Sequence, residues 1–516
     1  MTDVIIIGAG HNGLTCAAYL ARAGKEVLCL EAAEVSGGMS ATRTFSNNYQ
    51  IPGLALHSYP LSPNICRDLK LNKHGYRTGP SIQTIALDAD GAHLTVGTDK
   101  ISGANLSASD IQAYPKFMSE YLAFAKALNP IFKNRPPRLK DMDFTDKKSL
   151  AKLGWNMRFG LGRDSMYEFL RVAAINIYDV LNETFENEQL KACLALDATL
   201  GSSMGPRTPG SVLTWLHRLQ GAFNGPLSLN GAAGSNLVES LQNSAEAFGA
   251  VIRHNAKVKR ILVEDDSAVG VELESGEKLM AELVVSNADP RTTFLSLVGA
   301  PKLDANFANR AMQIRGSGVV AKFNIALSGL PDFKGIDKDQ MGNRFIIAPS
   351  MRYIEKAFNH SKYGEYSKHP VLEFGLPTTH NKDLAVKGHH ILSANVAYVP
   401  YMPAQEWQQF KDEFSQQLIS LLDDYAPGLK SLAVSYELLL PTDIEEQYLA
   451  TQGHWHHAEM SIHQSLMLRP LHGASQYNTP INNLFLCGAG SHPGGDLTAL
   501  PGHNAAKRVL EMGVVK

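Results

Sequence analysis

Short β-branched runs that lead directly into glycine turns occur near both ends of the chain. Residues 4–7 are Val-Ile-Ile-Ile, and a glycine-rich segment, residues 8–13, follows at once. An apolar run of this length is typical of a strand buried on both faces of a parallel sheet. Small and apolar residues over 14–23 predict a helix that ends at Gly24, and residues 26–30 predict a second strand.

The same order recurs near the other end of the chain. Residues 483–487 predict a short apolar strand, residues 488–496 read GAGSHPGGD, and a helix is expected from about Gly502. Between the two ends, helical spacing covers residues 110–128, 166–195, 237–248 and 404–425, whereas strand patterns cover residues 250–252, 258–263, 269–273, 319–327, 345–348 and 389–399. The pattern predicts an α/β protein with an inserted α+β region.

Composition narrows the function classes only slightly. The chain has 516 residues, a formal net charge of −2 and no long basic block, which argues against nucleic acid as a partner. Its five cysteines are scattered and never spaced as CxxC, so reduced thiols and a cytoplasmic location are expected. No cleavable leader is expected, and no apolar run approaches the roughly 20 residues of a membrane-spanning helix. Peripheral contact with a membrane through apolar loops stays open, as does the oligomeric state.

The amino-terminal motif is a GxGxxG fingerprint followed by an acidic residue. Gly8 permits a tight turn, Gly10 lets the backbone approach a pyrophosphate, and Gly13 lets helix and strand pack closely. Glu31 ends the second strand at the spacing expected for a carboxylate that binds ribose hydroxyls. The motif predicts a dinucleotide site, which also includes Asn12 and Ala32.

The identity of the dinucleotide depends on two further glycine segments. Gly37 and Gly38 would let a second loop run against the diphosphate, which favours FAD over NAD. Glu31 would repel the 2′-phosphate of NADP. The carboxy-terminal loop, with Gly488 and Gly490, aims a helix amino terminus at an electron-rich atom, for which the pyrimidine edge of a flavin is a natural target.

The motifs GAGHNGL, SNADP and LFLCGAGSHPGGDLTALPGHNAAKRVL together resemble the phytoene-desaturase-like flavoproteins, especially the branch called pyridine nucleotide-disulphide oxidoreductase domain-containing protein 2. The resemblance extends along most of the chain. It implies a Rossmann-like FAD-binding domain of the glutathione-reductase and amine-oxidase type, with a discontinuous α+β substrate domain. It also implies cofactor contacts beyond the amino-terminal motif, at Val258, Asn287, Gly495, Asp496, Leu497, Pro501 and Asn504.

The chain departs from the family pattern at three places. Met39 stands where many relatives place arginine, so a phosphate contact must come from elsewhere or be absent. Residues 230–234 replace a basic residue and GGM, and Asp496 replaces a glycine. A carboxylate near the flavin would disfavour the anionic reduced ring.

The resemblance divides the chain into an FAD-binding domain of residues 1–75, 226–295 and 476–516, and a substrate domain of residues 76–225 and 296–475. Two segments offer pocket residues, PGLALHSYP with His57 and Tyr59, and GHWHH with His457 as the preferred candidate. Ordinary packing is an alternative for both segments. A metal site at the histidines is the least favoured reading, and no metal is predicted.

The sequence thus predicts an FAD-dependent dehydrogenase or oxidase that takes hydride from an apolar or amphipathic small molecule and leaves a new double bond. No Ser-His-Asp or Cys-His arrangement is evident, and hydride transfer needs none. Two alternatives stay open: an amine or amino-acid oxidase of the same fold, and a flavoprotein that acts as a binding partner without turnover.

Overall fold

The computed structural model describes residues 2–46, 48–234, 236–401 and 407–513, without the side chains of residues 407–410. The strands are β1 (Thr2–Ile7), β2 (Val27–Leu30), β3 (Arg43–Phe45), β4 (Tyr49–Ile51), β5 (His57–Ser58), β6 (Thr84–Ala86), β7 (Leu94–Val96), β8 (Ile101–Gly103), β9 (Ser228–Leu229), β10 (Val251–Arg253), β11 (Val258–Glu264), β12 (Ser267–Leu273), β13 (Lys278–Ser286), β14 (Val320–Leu327), β15 (Arg344–Ile347), β16 (Val371–Gly375), β17 (His390–Ala397), β18 (Ala433–Leu439) and β19 (Leu484–Leu486).

The helices are α1 (His11–Arg22), α2 (Pro63–Asp68), α3 (Ala108–Phe132), α4 (Phe144–Trp155), α5 (Arg163–Val172), α6 (Ile177–Thr184), α7 (Glu188–Thr199), α8 (Ser211–Leu219), α9 (Leu237–Ala247), α10 (Ala305–Met312), α11 (Met351–Lys362), α12 (Trp407–Tyr425), α13 (Leu429–Leu432), α14 (Pro441–Tyr448) and α15 (Leu500–Met512). Two π-helical turns, Asn156–Gly160 and Thr292–Gly299, extend or connect them. Among the described residues, no helix is both long enough and apolar enough to cross a bilayer.

The first sheet brings the two ends of the chain together. Its strand order is β10-β2-β1-β13-β12-β11, and β19 pairs with β13. Strand β13 runs parallel to β1 on one side and to β19 on the other, so it lies between the first strand of the chain and the last. Ile5, Ile6 and Val284 are fully buried, as the continuous apolar run predicts for a parallel sheet covered on both faces.

Helices α1 and α15 touch directly above this sheet. A methyl group built on Gly502 would lie 2.1 Å from the carbonyl oxygen of Asn12. The rings of Tyr19 and His503 extend the contact, with their centroids 4.9 Å apart. The amino-terminal and carboxy-terminal glycine motifs therefore lie side by side in the fold.

Both terminal helices begin earlier than the sequence pattern indicates. Helix α1 begins at His11 rather than at Leu14, and α15 begins at Leu500 rather than near Gly502. The glycines that looked like loop residues therefore lie inside the first helical turns. Glycine at these positions destabilises the helix little, because the first N–H groups of a helix have no intrahelical partner. The missing side chain also lets a neighbouring backbone pack closely.

The second sheet has eight strands. Its order is β18-β14-β17-β16-β15-β6-β7-β8, antiparallel except where β15 meets β6. Helix α12 packs on one face, and α3, α7, α8 and α11 pack on the other. The expectation of a sheet covered by helices agrees with this layering. The expected helix 404–425 begins in residues that the structure does not describe.

Close helix packing at Gly502 predicts a large effect of one added methyl group. Gly502→Ala should lower the free energy of unfolding by about 3 kcal/mol, since the new Cβ would displace the backbone of α1. Gly154→Ala is the matched control, because it also lies in a helix but a Cβ there meets no atom within 4 Å. The control should be neutral or more stable by up to about 1 kcal/mol. Equal thermal midpoints for the two variants would contradict the close packing.

Candidate functional site

A cavity of about 630 Å³ extends from the glycine loops of the first sheet to His217 and Arg218 on α8 and Asn395 on β17. Twelve predicted cofactor residues line it: Gly8, Gly10, Asn12, Glu31, Ala32, Gly37, Gly38, Met39, Val258, Asn287, Asp496 and Leu497. The two predicted pocket residues, His57 and His457, line the same cavity. Most of the predicted site residues therefore come together in one space.

The amino-terminal loop presents free backbone donors to the cavity. Gly8 has φ +93°, a left-handed conformation that side chains rarely adopt. Gly10 is the N-cap of α1 and no side chain caps the helix, so its first N–H groups and its dipole remain available for an anion. Gly37 donates its N–H to the carbonyl of Ala9 at 2.8 Å, which holds the second glycine loop beside the first. This cradle fits the diphosphate of a dinucleotide.

Glu31 is held in place by the backbone around it. Its carboxylate accepts hydrogen bonds from the N–H groups of Ala9 at 2.8 Å and Ala33 at 3.0 Å. An ionised carboxylate has about four acceptor sites, so two remain for ribose hydroxyls. Val258, at the start of β11, lines the same end of the cavity, where the family resemblance places the adenine.

The SNADP segment connects three parts of the site. Asn287 donates its backbone N–H to Ile7 at 2.8 Å and its side-chain amide to the carbonyl of Gly8 at 3.3 Å. Asp289 accepts hydrogen bonds from the hydroxyls of Thr292 at 2.6 Å and Thr451 at 2.8 Å. The second contact fixes the start of the segment that carries the GHWHH histidines.

Six predicted cofactor residues lie behind the cavity wall and are not among the residues that line it: Gly13, Gly488, Gly490, Gly495, Pro501 and Asn504. A Cβ on Gly13 would lie 2.1 Å from the carbonyl oxygen of Gly8, and one on Gly488 would lie 2.6 Å from that of Asn287. Pro501 and Asn504 are buried in the first turns of α15. These residues shape the backbone that faces the cavity.

Asp496 is the carboxylate of the carboxy-terminal loop. It has φ +67°, lines the cavity and is open to it. Burial among protein atoms would raise the pKa of Asp496, but His456, Arg218, His217 and His57 outweigh this effect and hold the pKa below its usual range. Since burial lowers the pKa of His456 to about 3, Arg218 supplies the charge that persists at neutral pH. Asp496 is therefore ionised.

His57 belongs to a buried charge network on the substrate side. Its Nε2 accepts a hydrogen bond from Arg218 at 2.5 Å and lies 3.3 Å from the carboxylate of Glu373. Arg344 pairs with Glu373 and Asp197, both at 2.6 Å. Burial lowers the pKa of His57 to about 3, so the ring is neutral at physiological pH. The network therefore holds the side chain of His57 in one position in the cavity wall.

A buried arginine positions the GHWHH histidines. Arg469 donates to the carbonyls of His456 and Ala489, both at 2.8 Å, and so joins this segment to the carboxy-terminal glycine loop. A Cβ on Gly495 would lie 1.8 Å from Nδ1 of His456, so only glycine fits against that ring. Burial lowers the pKa of His457, whose Nδ1 has no hydrogen-bond partner among the described residues.

The departures from the family pattern have separate structural consequences. Met39 lines the cavity and packs against Leu54, Leu439 and Ile444, so it replaces a charged contact with an apolar one. Asn230 bonds through its side chain to Ser58 and to the carbonyl of Ala55, both at 2.6 Å. The altered loop therefore supports the strand that carries His57.

Sequence reasoning missed several cavity residues, among them His217, Arg218 and Asn395. His217 and Arg218 lie on α8 and Asn395 lies on β17, and no local motif marks them. In the described ranges, no group of three or more histidine, cysteine or carboxylate side chains is arranged to hold a metal ion.

Comparison with known proteins agrees with this geometry. The family described as flavin containing amine oxidoreductase matches residues 13–510. Pyridine nucleotide-disulfide oxidoreductase domain-containing protein 2 of Mus musculus is 31% identical, with 98% of this chain and 93% of that protein covered. A limonene dehydrogenase component of Castellaniella defragrans is 28% identical, with 99% and 94% covered. Phytoene desaturase (neurosporene-forming) of Cereibacter sphaeroides is 25% identical, with 96% and 92% covered.

Solved structures share the fold at lower identity. A putrescine oxidase bound to putrescine superposes with a TM-score of 0.63 at 15% identity, covering 100% of this chain and 99% of that chain. An oxidoreductase from Methanosarcina mazei gives a TM-score of 0.61 at 16% identity, covering 99% and 100%. Because the family match extends over nearly the whole chain and the glycine cradle fits a dinucleotide, the protein belongs to the flavin containing amine oxidoreductase family and its cofactor is FAD.

Proposed function

We propose that this protein is an FAD-dependent dehydrogenase that introduces a double bond into an apolar or amphipathic small molecule. The observation that carries the proposal is the continuous cavity, which joins the FAD loops to a wall built by the end of α3, by α8, by the GHWHH segment and by Asn395 of the second sheet. A substrate seated on that wall would lie next to the flavin. Holding reacting atoms about 3 to 3.5 Å apart supplies several kcal/mol by orientation alone.

The bound flavin supplies the hydride acceptor, its N5 atom. The substrate must also lose a proton, because a new C=C bond requires one C–H bond to break as hydride and its neighbour as a proton. Asp496 is the carboxylate that can take that proton, since it is ionised and open to the cavity. A weak base suffices, because loss of hydride leaves positive charge on one carbon. A C–H bond on the neighbouring carbon then becomes strongly acidic.

We assign His57 and His457 to shaping the substrate wall. His57 is neutral and anchored by Arg218, so it presents a fixed polar surface rather than an acid. Burial also lowers the pKa of His457, so this ring too is neutral and does not act as an acid. Under the proposed domain division, with its boundaries near residues 75, 225, 295 and 475, His57 belongs to the FAD-binding domain and His457 to the substrate domain.

We also propose a reducing, cytoplasmic location with peripheral contact to a membrane that contains the substrate. The five cysteines are all free, as a reducing compartment would leave them. An apolar substrate would partition into lipid, which supports the membrane contact.

Loss of flavin should follow from one substitution in the amino-terminal loop. Gly10→Val should yield colourless protein, because its side chain would meet Asn287, whose Nδ2 lies 2.9 Å from the Cβ position, and would block the diphosphate. Gly329→Ala, where the added methyl makes only ordinary contacts, should stay yellow. Absorbance after denaturation measures released FAD per chain. Stoichiometric FAD in Gly10→Val would count against the site.

Replacement of Asp496 tests the proton acceptor. Asp496→Asn should keep stoichiometric FAD but lose about 10²-fold in kcat, the usual contribution of a positioned base.

The pH profile of the wild type gives a second test. Because the pKa of Asp496 is depressed, its carboxylate stays ionised down to acidic pH, and kcat should not fall because of its protonation between pH 8 and pH 5. The reduction potential of the flavin should rise in the variant, since a negative charge near the ring is removed. Exposed Asp164→Asn serves as the control, and an unchanged kcat in Asp496→Asn would refute the assignment.

Anaerobic reduction of the bound flavin by defined compounds tests the reaction class. Isoprenoid alkenes and polyenes should bleach the absorbance of oxidised FAD and gain a double bond, detected as a loss of two mass units. Fatty and aromatic amines should leave the flavin oxidised. Reduction by amines, with hydrogen peroxide released in air, would favour the oxidase alternative instead. Failure of every compound with FAD still bound would favour a partner protein without turnover.

A further inference from the structure

Exposed apolar side chains concentrate in one helical segment of the substrate domain. Of 21 large apolar side chains that are exposed in the described residues, seven lie between residues 139 and 170. They are Leu139, Met142, Phe144, Trp155, Phe159, Tyr167 and Leu170, and we call this group the α4–α5 face. Phe144 is 81% exposed and Trp155 is 65% exposed. Exposed apolar side chains concentrated in one segment are typical of an interaction surface.

Helix α4 arranges the aromatic residues and lysines on one side. Phe144, Lys148, Lys152 and Trp155 recur at spacings of three and four residues, so they share one face of the helix, and Lys147 lies next to Phe144 on it. All five are exposed. Aromatic rings at both ends with lysines between them are typical of a helix that lies in a lipid interface.

The positive charge of helix α4 is not neutralised by the acids of that helix and its N-cap. Asp146 is fully buried and pairs with Arg138 at 2.9 Å. Asp143 pairs with Arg135 and Arg138 behind the helix. Among the described residues, Lys140, Lys147, Lys148 and Lys152 form no ion pair, and the guanidinium of Arg158 lies 5.4 Å from the ring centre of Phe159. The exposed lysines are therefore free to meet anionic groups.

The chemistry of the face favours a bilayer over a protein partner. Lysine is depleted in the buried centre of protein interfaces, where its desolvation is costly, whereas at a bilayer its long side chain keeps the charge at the headgroups. Lysines of the α4–α5 face lie between its two most exposed aromatic rings, those of Phe144 and Trp155. We infer that the α4–α5 face docks the protein on an anionic lipid bilayer.

The position of the face suits an enzyme whose substrate dissolves in lipid, and in this respect the inference rests on the proposed function. Asn156, just after α4, donates to the carbonyl of Ala127 on α3 at 3.4 Å. The end of α3 lines the cavity through Phe132, and Lys133 follows it there. A bilayer on the α4–α5 face would thus lie near the helix that borders the cavity.

Vesicle sedimentation of the FAD-loaded protein tests the inference without any turnover. Wild type should sediment with vesicles that contain phosphatidylglycerol, less with phosphatidylcholine alone, and less again in high salt. Removal of two lysine charges in Lys147→Ala/Lys148→Ala should weaken binding about 30-fold, at the usual contribution per basic residue. The double variant Trp155→Ser/Phe159→Ser should also bind the vesicles less tightly than wild type. Tyr363→Ser, which alters a side chain 75% exposed elsewhere, is the control and should bind like wild type.

Tryptophan fluorescence locates the contact directly. Brominated lipids should quench Trp155 in the wild type, and the Trp155→Ser/Phe159→Ser protein should lose that quenching while it retains FAD and its thermal midpoint. The inference is overturned if wild type stays in the supernatant or if both double variants bind as tightly as wild type. It is also overturned if light scattering shows a dimer that only the Trp155→Ser/Phe159→Ser change separates, since a second copy would then cover the face. Failure of the substrate panel would leave these results unchanged.

Discussion

The structure depends on the contact of two helix amino termini, α1 and α15, above a sheet in which β13 lies between β1 and β19. The contact requires glycine at residue 502, because a Cβ there would lie 2.1 Å from the carbonyl oxygen of Asn12. The two helices direct free N–H groups and positive dipole ends toward neighbouring parts of the FAD site. Segments almost 500 residues apart in sequence thereby act as one binding surface.

The substrate side uses a different principle, a buried network of charges. Arg344 pairs with Asp197 and with Glu373, both at 2.6 Å, and His57 accepts a hydrogen bond from Arg218 beside them. Such a network adds little to stability, because desolvation offsets the attraction between the charges. Removing one partner would leave a buried charge unpaired, so the network fixes the geometry of the wall. A rigid wall is what catalysis by orientation needs.

The nucleotide half of the site could be predicted from the sequence because its signals are local. The strand, glycine turn and acidic residue at 4–31 form one unit with fixed spacing, and their physical roles follow from it. The early starts of α1 and α15 could not be predicted from the local sequence, because glycine usually indicates the end of a helix. Only the neighbouring backbone explains glycine inside these first turns.

The substrate half could not be predicted in the same detail. His217, Arg218 and Asn395 reach the cavity from α8 and β17, and which elements face each other there is decided by tertiary packing. Strands β6 to β8 have three residues each, too short for a clear alternating pattern. His57 and His457 were found because they lie at intervals that the family resemblance marks.

Hydrogen–deuterium exchange with and without FAD tests most directly whether both chain ends grip one cofactor molecule. FAD added to flavin-free protein should protect the amides of residues 8–13 and of residues 496–502 together, with the same dependence on FAD concentration. Protection of the first segment alone, with the second exchanging as in the flavin-free protein, would contradict the account.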